Sequence, residues 1–241
     1  MQLHHADAVV THTCNKKCEF CVDKFRNTSQ KLVDPKRVEQ YVKMLKKYLD
    51  VFGQVESGSP FEILLLGGEP TTAPKELLVE LASIIRESGF SPLISTNGAL
   101  VKKIEQILPT FDWAQITMDN ADDLERWKGH DNVNAKWSAR QGFDMDDLAR
   151  FYELSKPYKR RSVSLHFNDK GKQLSKINLD LDWKPMSVYE VAFWNGIRIK
   201  RGISGISNDM VEPVVPKLYP NGNYNGDWRH ENMVPYLGEL E

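Results

Sequence analysis

The sequence predicts an α/β fold whose strands form a parallel sheet, open or closed into a barrel. Strand-like and helix-like segments alternate four times from the N-terminus, a rhythm that calls for crossover connections rather than hairpins. The run 61–66 (FEILLL) is apolar apart from Glu62, as in a strand covered on both sides. Two later runs, 113–119 and 161–168, alternate strictly and keep one polar face, which is costly in a covered strand unless that face lines a wet or ligand-filled interior.

Residues 8–13 are short and rich in β-branched types, a first strand that delivers Cys14 to a loop at its C-terminal end. Asp34 followed by Pro35 makes an N-cap with proline at the first helical position. Val38, Tyr41, Val42, Leu45, Leu49 and Phe52 then recur at helical spacing up to Gly53. The second strand, 61–66, ends in Gly67-Gly68-Glu69-Pro70. A second helix buries Leu77, Leu78, Leu81, Ile84 and Ile85 and stops at Gly89. Residues 92–98 are a third strand and turn, followed by a helix through Val101, Ile104, Ile107 and Leu108. Residues 113–119 are the fourth strand, with Gln115, Thr117 and Asp119 opposed to Ala114, Ile116 and Met118.

Residues 120–142 break the rhythm: long and polar, with Trp127 and Trp137, they read as an active-site loop. A fourth helix over 144–154 precedes the fifth strand, 161–168. Its Val163, Leu165 and Phe167 face helices, while Ser162, Ser164, His166 and Asn168 face the other way. Residues 180–185 read as a loop, and 188–194 as a sixth strand with 197–201 as hairpin partner. Past Gly202 the chain is Pro-, Asn- and Gly-rich, yet Tyr219, Tyr224 and Trp228 make it too aromatic for a disordered tail. The expected organisation is one core over 1–202, with 203–241 packed on it as a cap.

Lys plus Arg total 32 against 33 Asp plus Glu, a formal net charge of −1, which gives no support to a nucleic-acid polymer or an anionic membrane as partner. No segment is apolar for long enough to span a bilayer and the first residues lack the features of a secretory signal, so the expected location is cytoplasmic.

Chemistry concentrates in Cys14-Asn15-Lys16-Lys17-Cys18-Glu19-Phe20-Cys21, which holds all three cysteines. Thiolates at C-x3-C-x2-C spacing can converge on zinc or on the irons of a cluster, and their odd number argues against a disulfide framework. Three ligands are one short. Either His12 or His4 completes a zinc site in a non-catalytic binding module, or one iron of a four-iron cluster is left for a ligand that is not protein.

This spacing resembles the signature of the radical S-adenosylmethionine (SAM) superfamily, and the likeness reaches from about Val9 to Trp194. Phe20 matches the aromatic that flanks adenine in that family. Gly67-Gly68-Glu69-Pro70 matches the GGE motif that binds the SAM amino group. Ser95-Thr96-Asn97-Gly98 resembles the third-strand TNG element, and Thr117-Met118-Asp119 the fourth-strand SLD element, with threonine and methionine for serine and leucine. His166 and Asn168 stand at the equivalent fifth-strand end by position alone.

The resemblance implies a partial (β/α)6 TIM-like barrel with an irregular C-terminal extension. It implies that Cys14, Cys18 and Cys21 ligate a [4Fe-4S] cluster whose remaining iron is chelated by SAM, and that Glu69 joins them in the catalytic set. Gly67, Gly68, Pro70, Phe20, Ser95, Asn97, Thr117, Asp119, His166 and Asn168 would contact SAM. A one-electron reductant such as a flavodoxin or ferredoxin would drive cleavage of SAM to methionine and a 5′-deoxyadenosyl radical. The competing reading of Ser95, Asn97, Thr117 and Asp119 is turn and capping chemistry, and of His166 a hydrogen-bonded interior side chain.

These 241 residues hold no fourth cysteine, so an all-cysteine auxiliary cluster within them is not expected. The expected substrate is a small molecule or nucleotide; the alternative is activation of a glycyl radical enzyme, a protein partner. Trp194, Tyr224, Trp228, Arg229 and His230 are candidate substrate contacts. Arg198, with Lys200 and Arg201, could clasp a phosphate or carboxylate, unless these charges guard an edge strand.

Overall fold

The computed structural model describes residues 5–18, 31–52, 60–139, 142–166, 175–177, 179–186, 189–202, 217–218 and 224–225. In chain order these form β1 (His5–Thr11), α1 (Pro35–Phe52), β2 (Glu62–Gly67), α2 (Lys75–Glu87), β3 (Ser91–Thr96), α3 (Val101–Ile107), β4 (Trp113–Met118) and α4 (Ala121–Trp127). They continue with β5 (Val133–Ala139), α5 (Met145–Ser155), β6 (Arg160–Leu165), β7 (Lys184–Met186), β8 (Tyr189–Trp194), β9 (Ile197–Gly202), β10 (Lys217–Leu218) and β11 (Tyr224–Asn225). The fold is α/β with parallel strands, the kind from which a TIM-like partial barrel is built. No helix among the described residues is long and apolar enough to cross a membrane.

The chain divides into two compact units, Met1–Lys17 with Val22–Ala114 and Pro213–Glu241, and Cys18–Cys21 with Gln115–Glu212. In the first, β1, β2 and β3 run parallel side by side, and β10 lies parallel on the other flank of β1. The stripe expected of α1 is realised in Val38, Tyr41, Val42 and Leu45, and that of α2 in Leu78, Leu81 and Ile85, all fully buried. Each such side chain contributes roughly 1.5–3 kcal/mol by burial. Gly89 follows α2 at φ +86°, the left-handed conformation that glycine adopts without steric cost.

The second unit corrects the expected loop at 120–142. Asn120 caps α4 by accepting the Asp123 N–H at 3.1 Å, and the segment then crosses to β5. Trp127 is 1% exposed and Trp137 7%, with Trp137 packed edge-on against Phe143 and Phe151. These are core residues. The polarity that suggested a loop belongs to the exposed side of a short helix and to Asn134, Lys136 and Ser138 on the face of β5 turned away from α5.

Lys184 and Pro185, at the end of the expected loop 180–185, instead begin the strand β7, paired antiparallel with β8. The β8–β9 hairpin is as expected, its two-residue turn formed by Asn195 (φ 48°) and Gly196 (φ 77°), the Asn-Gly pairing that a type I′ turn favours. On its other side β9 pairs parallel with β6, so β9 is an internal strand and its charges do not guard an edge.

Tyr158, between α5 and β6, donates its hydroxyl to the carbonyl of Leu124 at 2.5 Å, one of the last-turn carbonyls that α4 cannot satisfy internally. Burial, with the Glu125 charge nearby, pushes the phenol well above its ordinary pKa, so it remains a donor through the neutral range. Tyr158→Phe should cost about 1–2 kcal/mol, read as a lower urea midpoint at unchanged slope.

Candidate active site

Because β1, β2 and β3 are parallel, their C-terminal ends present three loops along one edge of the first unit. These are the start of the cysteine loop, the Gly67–Pro70 turn and the Asn97-Gly98 turn. The first two are joined backbone to backbone. Gly68 N–H donates to Thr11 O and Glu69 N–H to Thr13 O, both at 2.8 Å, which carries the β1–β2 pairing past the strand ends. A Cβ at Gly67 would lie 2.2 Å from Thr11 O, and one at Gly68 2.5 Å from both His12 O and Thr13 O. The paired glycines therefore let the turn seat directly against the chain that leads into Cys14.

Glu69 is 1% exposed and accepts four hydrogen bonds. Its Oε1 takes Thr71 N–H at 3.0 Å and the hydroxyls of Thr71 and Thr96 at 2.6 Å each, while Oε2 takes Asn97 N–H at 2.6 Å. A buried carboxylate is tolerated only with such donors, and these tie the end of β2 to the end of β3. Pro70 is buried and opens the 3-10 turn that Glu69 caps. The role of Thr71 was missed from sequence, although acid-Pro-Thr is a legible N-cap with proline at the first position.

Asn97 passes this order on to the cysteine loop. Its Nδ2 donates to Asn15 Oδ1 at 2.7 Å and stands 3.9 Å from Cys14 Sγ, and its carbonyl accepts Lys16 Nζ at 3.1 Å. The Lys16 backbone N–H also points at Cys14 Sγ, at 3.4 Å. Asn15 and Lys16 were not singled out from sequence, since their contact with residue 97 has no local signal. Cys14 is exposed, and a sulfur that collects N–H donors is the environment of a metal-bound thiolate.

In the second unit Cys18 is half-buried. Thr117 is half-buried on the polar side of β4, and Ser95 of the first unit is likewise half-buried on β3. Asp119 follows β4, and its backbone N–H donates to Asp123 Oδ2 at 3.0 Å, at the start of α4. His166 is half-buried one residue past β6. Trp194 packs on Tyr152 of α5, ring centroids 5.7 Å apart, whereas Arg198 is exposed on β9. Phe20, Cys21, Asn168, Trp228, Arg229 and His230, and the side chain of Tyr224, lie outside the described residues.

Parallel strands whose ends present a cysteine loop braced by a Gly-Gly-Glu turn define a cluster-dependent class of α/β enzyme. The chain belongs to the Radical SAM superfamily, whose sequence pattern matches residues 8–141, more than half of its length. It is 33% identical over 94 residues to a Methanocaldococcus jannaschii protein provisionally named a glycyl-radical enzyme activating enzyme, covering 39% of this chain and 32% of that one. It is 25% identical over 134 residues to the 7-carboxy-7-deazaguanine synthase of Thermococcus kodakarensis, covering 48% of this chain and 50% of that one. The chain thus spans half or less of the length of these relatives.

The protein is accordingly an enzyme, which sets aside the non-catalytic zinc module. Its family uses a [4Fe-4S] cluster and SAM, with a reductant such as flavodoxin or ferredoxin. The donor set suits the cluster: soft thiols on a strand-end loop, Cys14 exposed and supplied with N–H donors.

Proposed function

We propose that this chain carries the core of a radical SAM enzyme that cleaves SAM reductively and abstracts hydrogen from a small-molecule or nucleotide-type substrate. The observation that carries the reading is the bracing of the Cys14 loop by Gly67, Gly68, Glu69 and Asn97. Cys14, Cys18 and Cys21 would hold the cluster and leave one iron for SAM; the pair supplies a 5′-deoxyadenosyl radical when bound and reduced. The Gly67–Pro70 turn would receive the methionine moiety chiefly through its backbone, since the Glu69 carboxylate is already engaged by four donors. Phe20 would flank adenine, with Ser95, Asn97, Thr117, Asp119, His166 and Asn168 at the strand ends around the remaining SAM groups. Thiols kept as ligands require a reducing compartment, so the proposed location is the cytoplasm.

The test is anaerobic reconstitution followed by iron, sulfide and 5′-deoxyadenosine assays on the reduced protein. Cys14→Ala, Cys18→Ala and Cys21→Ala should each abolish 5′-deoxyadenosine formation, and retained turnover in Cys18→Ala refutes the assignment. The relative named as a glycyl-radical enzyme activating enzyme favours a second reading, with a protein as substrate. Metabolites that raise 5′-deoxyadenosine formation support the first reading; a glycyl radical signal in a partner enzyme supports the second.

A further inference from the structure

On the second unit's sheet, β5, β6 and β9 lie parallel in one register that stacks polar residues in rows. Lys136 pairs with Ser162 and Ser162 with Arg198, and one step toward the C-terminal ends Ser138 pairs with Ser164 and Ser164 with Lys200. The intervening residues, Ala135, Trp137, Val163 and Ile199, are buried, and Trp137 packs on α5, so both rows occupy the face turned away from that helix.

Three features of these rows lack a structural explanation. Lys136 sits in mid-sheet with no ion pair or hydrogen bond among the described residues, and desolvation pulls its ammonium below the ordinary lysine pKa. Ser138 and Ser164 are 5% and 7% exposed, and neither hydroxyl has a hydrogen-bond partner among the described residues. Arg198 belongs to an internal strand, so edge protection does not account for it. Donors on one face of a sheet, not engaged by a neighbour, are free to receive an arriving acceptor.

We infer that this face is a substrate-anion subsite, in which the ammonium of Lys136 and the hydroxyls of Ser138 and Ser164 receive a carboxylate or phosphate group of the substrate. The inference deepens the proposed function and rests on it. Neighbouring strands stand about 4.8 Å apart and alternate residues of one strand about 6.6 Å apart, so the three groups fit around one tetrahedral or planar anion. Arg198 and Lys200, in the same two rows, add positive potential. Lys136 and Ser138 went unremarked in sequence because their strand was read as loop.

The experiment is trace acetylation of the reconstituted holoprotein with acetic anhydride. Labelling of Lys136 is quantified by peptide mass spectrometry in phosphate, acetate or chloride at constant ionic strength. Phosphate or acetate should protect Lys136 saturably, by about fivefold or more, while surface lysines such as Lys43 are unaffected. The better protector identifies the substrate's anion as phosphate or carboxylate. The double variant Ser138→Ala, Ser164→Ala, which removes only two oxygens, should weaken protection at least threefold or so. Equal labelling in all three salts overturns the inference, as does protection unchanged in the double variant. If SAM alone protects Lys136 and phosphate competes with SAM, the anion is SAM's own carboxylate and the substrate assignment falls. Protection is read without SAM cleavage, so a failure here is distinct from a failure of the proposed chemistry.

Discussion

Gly68→Ala should lower stability by about 2–3 kcal/mol and leave a protein that retains little iron after reconstitution. The added methyl would stand 2.5 Å from two carbonyl oxygens, those of His12 and Thr13, and both belong to backbone that leads directly into Cys14. A flexible side chain could swing aside; this backbone cannot. To make room, the turn after β2 must part from the cysteine loop and give up the bonds Gly68 N–H to Thr11 O and Glu69 N–H to Thr13 O. Gly67→Ala should be worse still, with 2.2 Å to Thr11 O and a φ of +143°.

Gly89→Ala is the control, because it also replaces a positive-φ glycine but meets nothing within 4 Å of the new Cβ. It should cost only the conformational term, about 1–2 kcal/mol, and leave iron content unchanged. Denaturant midpoints of the apo proteins and iron per chain of the reconstituted ones make the comparison. Normal iron in Gly68→Ala would show that the loop does not depend on this contact.

Glu69→Ala should cost about 3–5 kcal/mol, because it strands four donors, three of them in buried hydrogen bonds. Those donors are the N–H and hydroxyl of Thr71, the hydroxyl of Thr96 and the N–H of Asn97. Glu69→Gln keeps the shape but turns an amide NH2 toward either the Asn97 N–H or the Oε1 cluster, so it should fall between wild type and alanine. Thr96→Val should cost about 1–2 kcal/mol in wild type and much less in Glu69→Ala, a coupling that a double-mutant cycle measures. If Glu69→Ala instead remained within about 1 kcal/mol of wild type and lost only SAM cleavage, Glu69 would act on the cofactor and not on the scaffold.

The site motifs were legible because they are local. Cys14, Cys18 and Cys21 lie in one octapeptide, and Gly67-Gly68-Glu69-Pro70 closes an apolar strand run; no distant residue is needed to see either. The alternation through β1–α1–β2–α2–β3–α3–β4 was equally plain, since each helix repeats its apolar residues at helical spacing. The α4–β5 segment was obscure for a physical reason. Its apolar side in β5 is Val133, Ala135, Trp137 and Ala139, two of them too small to announce a strand, and its other side carries Lys136. The strands β7 and β10, of three and two residues, are too short for any period to show.

By itself, then, the sequence named the candidate ligands: three cysteines within eight residues, on a loop leaving the first strand of a parallel α/β chain. Tertiary structure alone decided how that loop is held. The partners of Glu69 at Thr96 and Asn97 lie 27 and 28 residues away, and the contact of Asn97 with Cys14 spans 83. Spacing within a motif records which atoms can bind a metal. Which donors saturate a buried carboxylate, and which carbonyls fill the room left by two glycines, depend on strands brought together only when the chain folds.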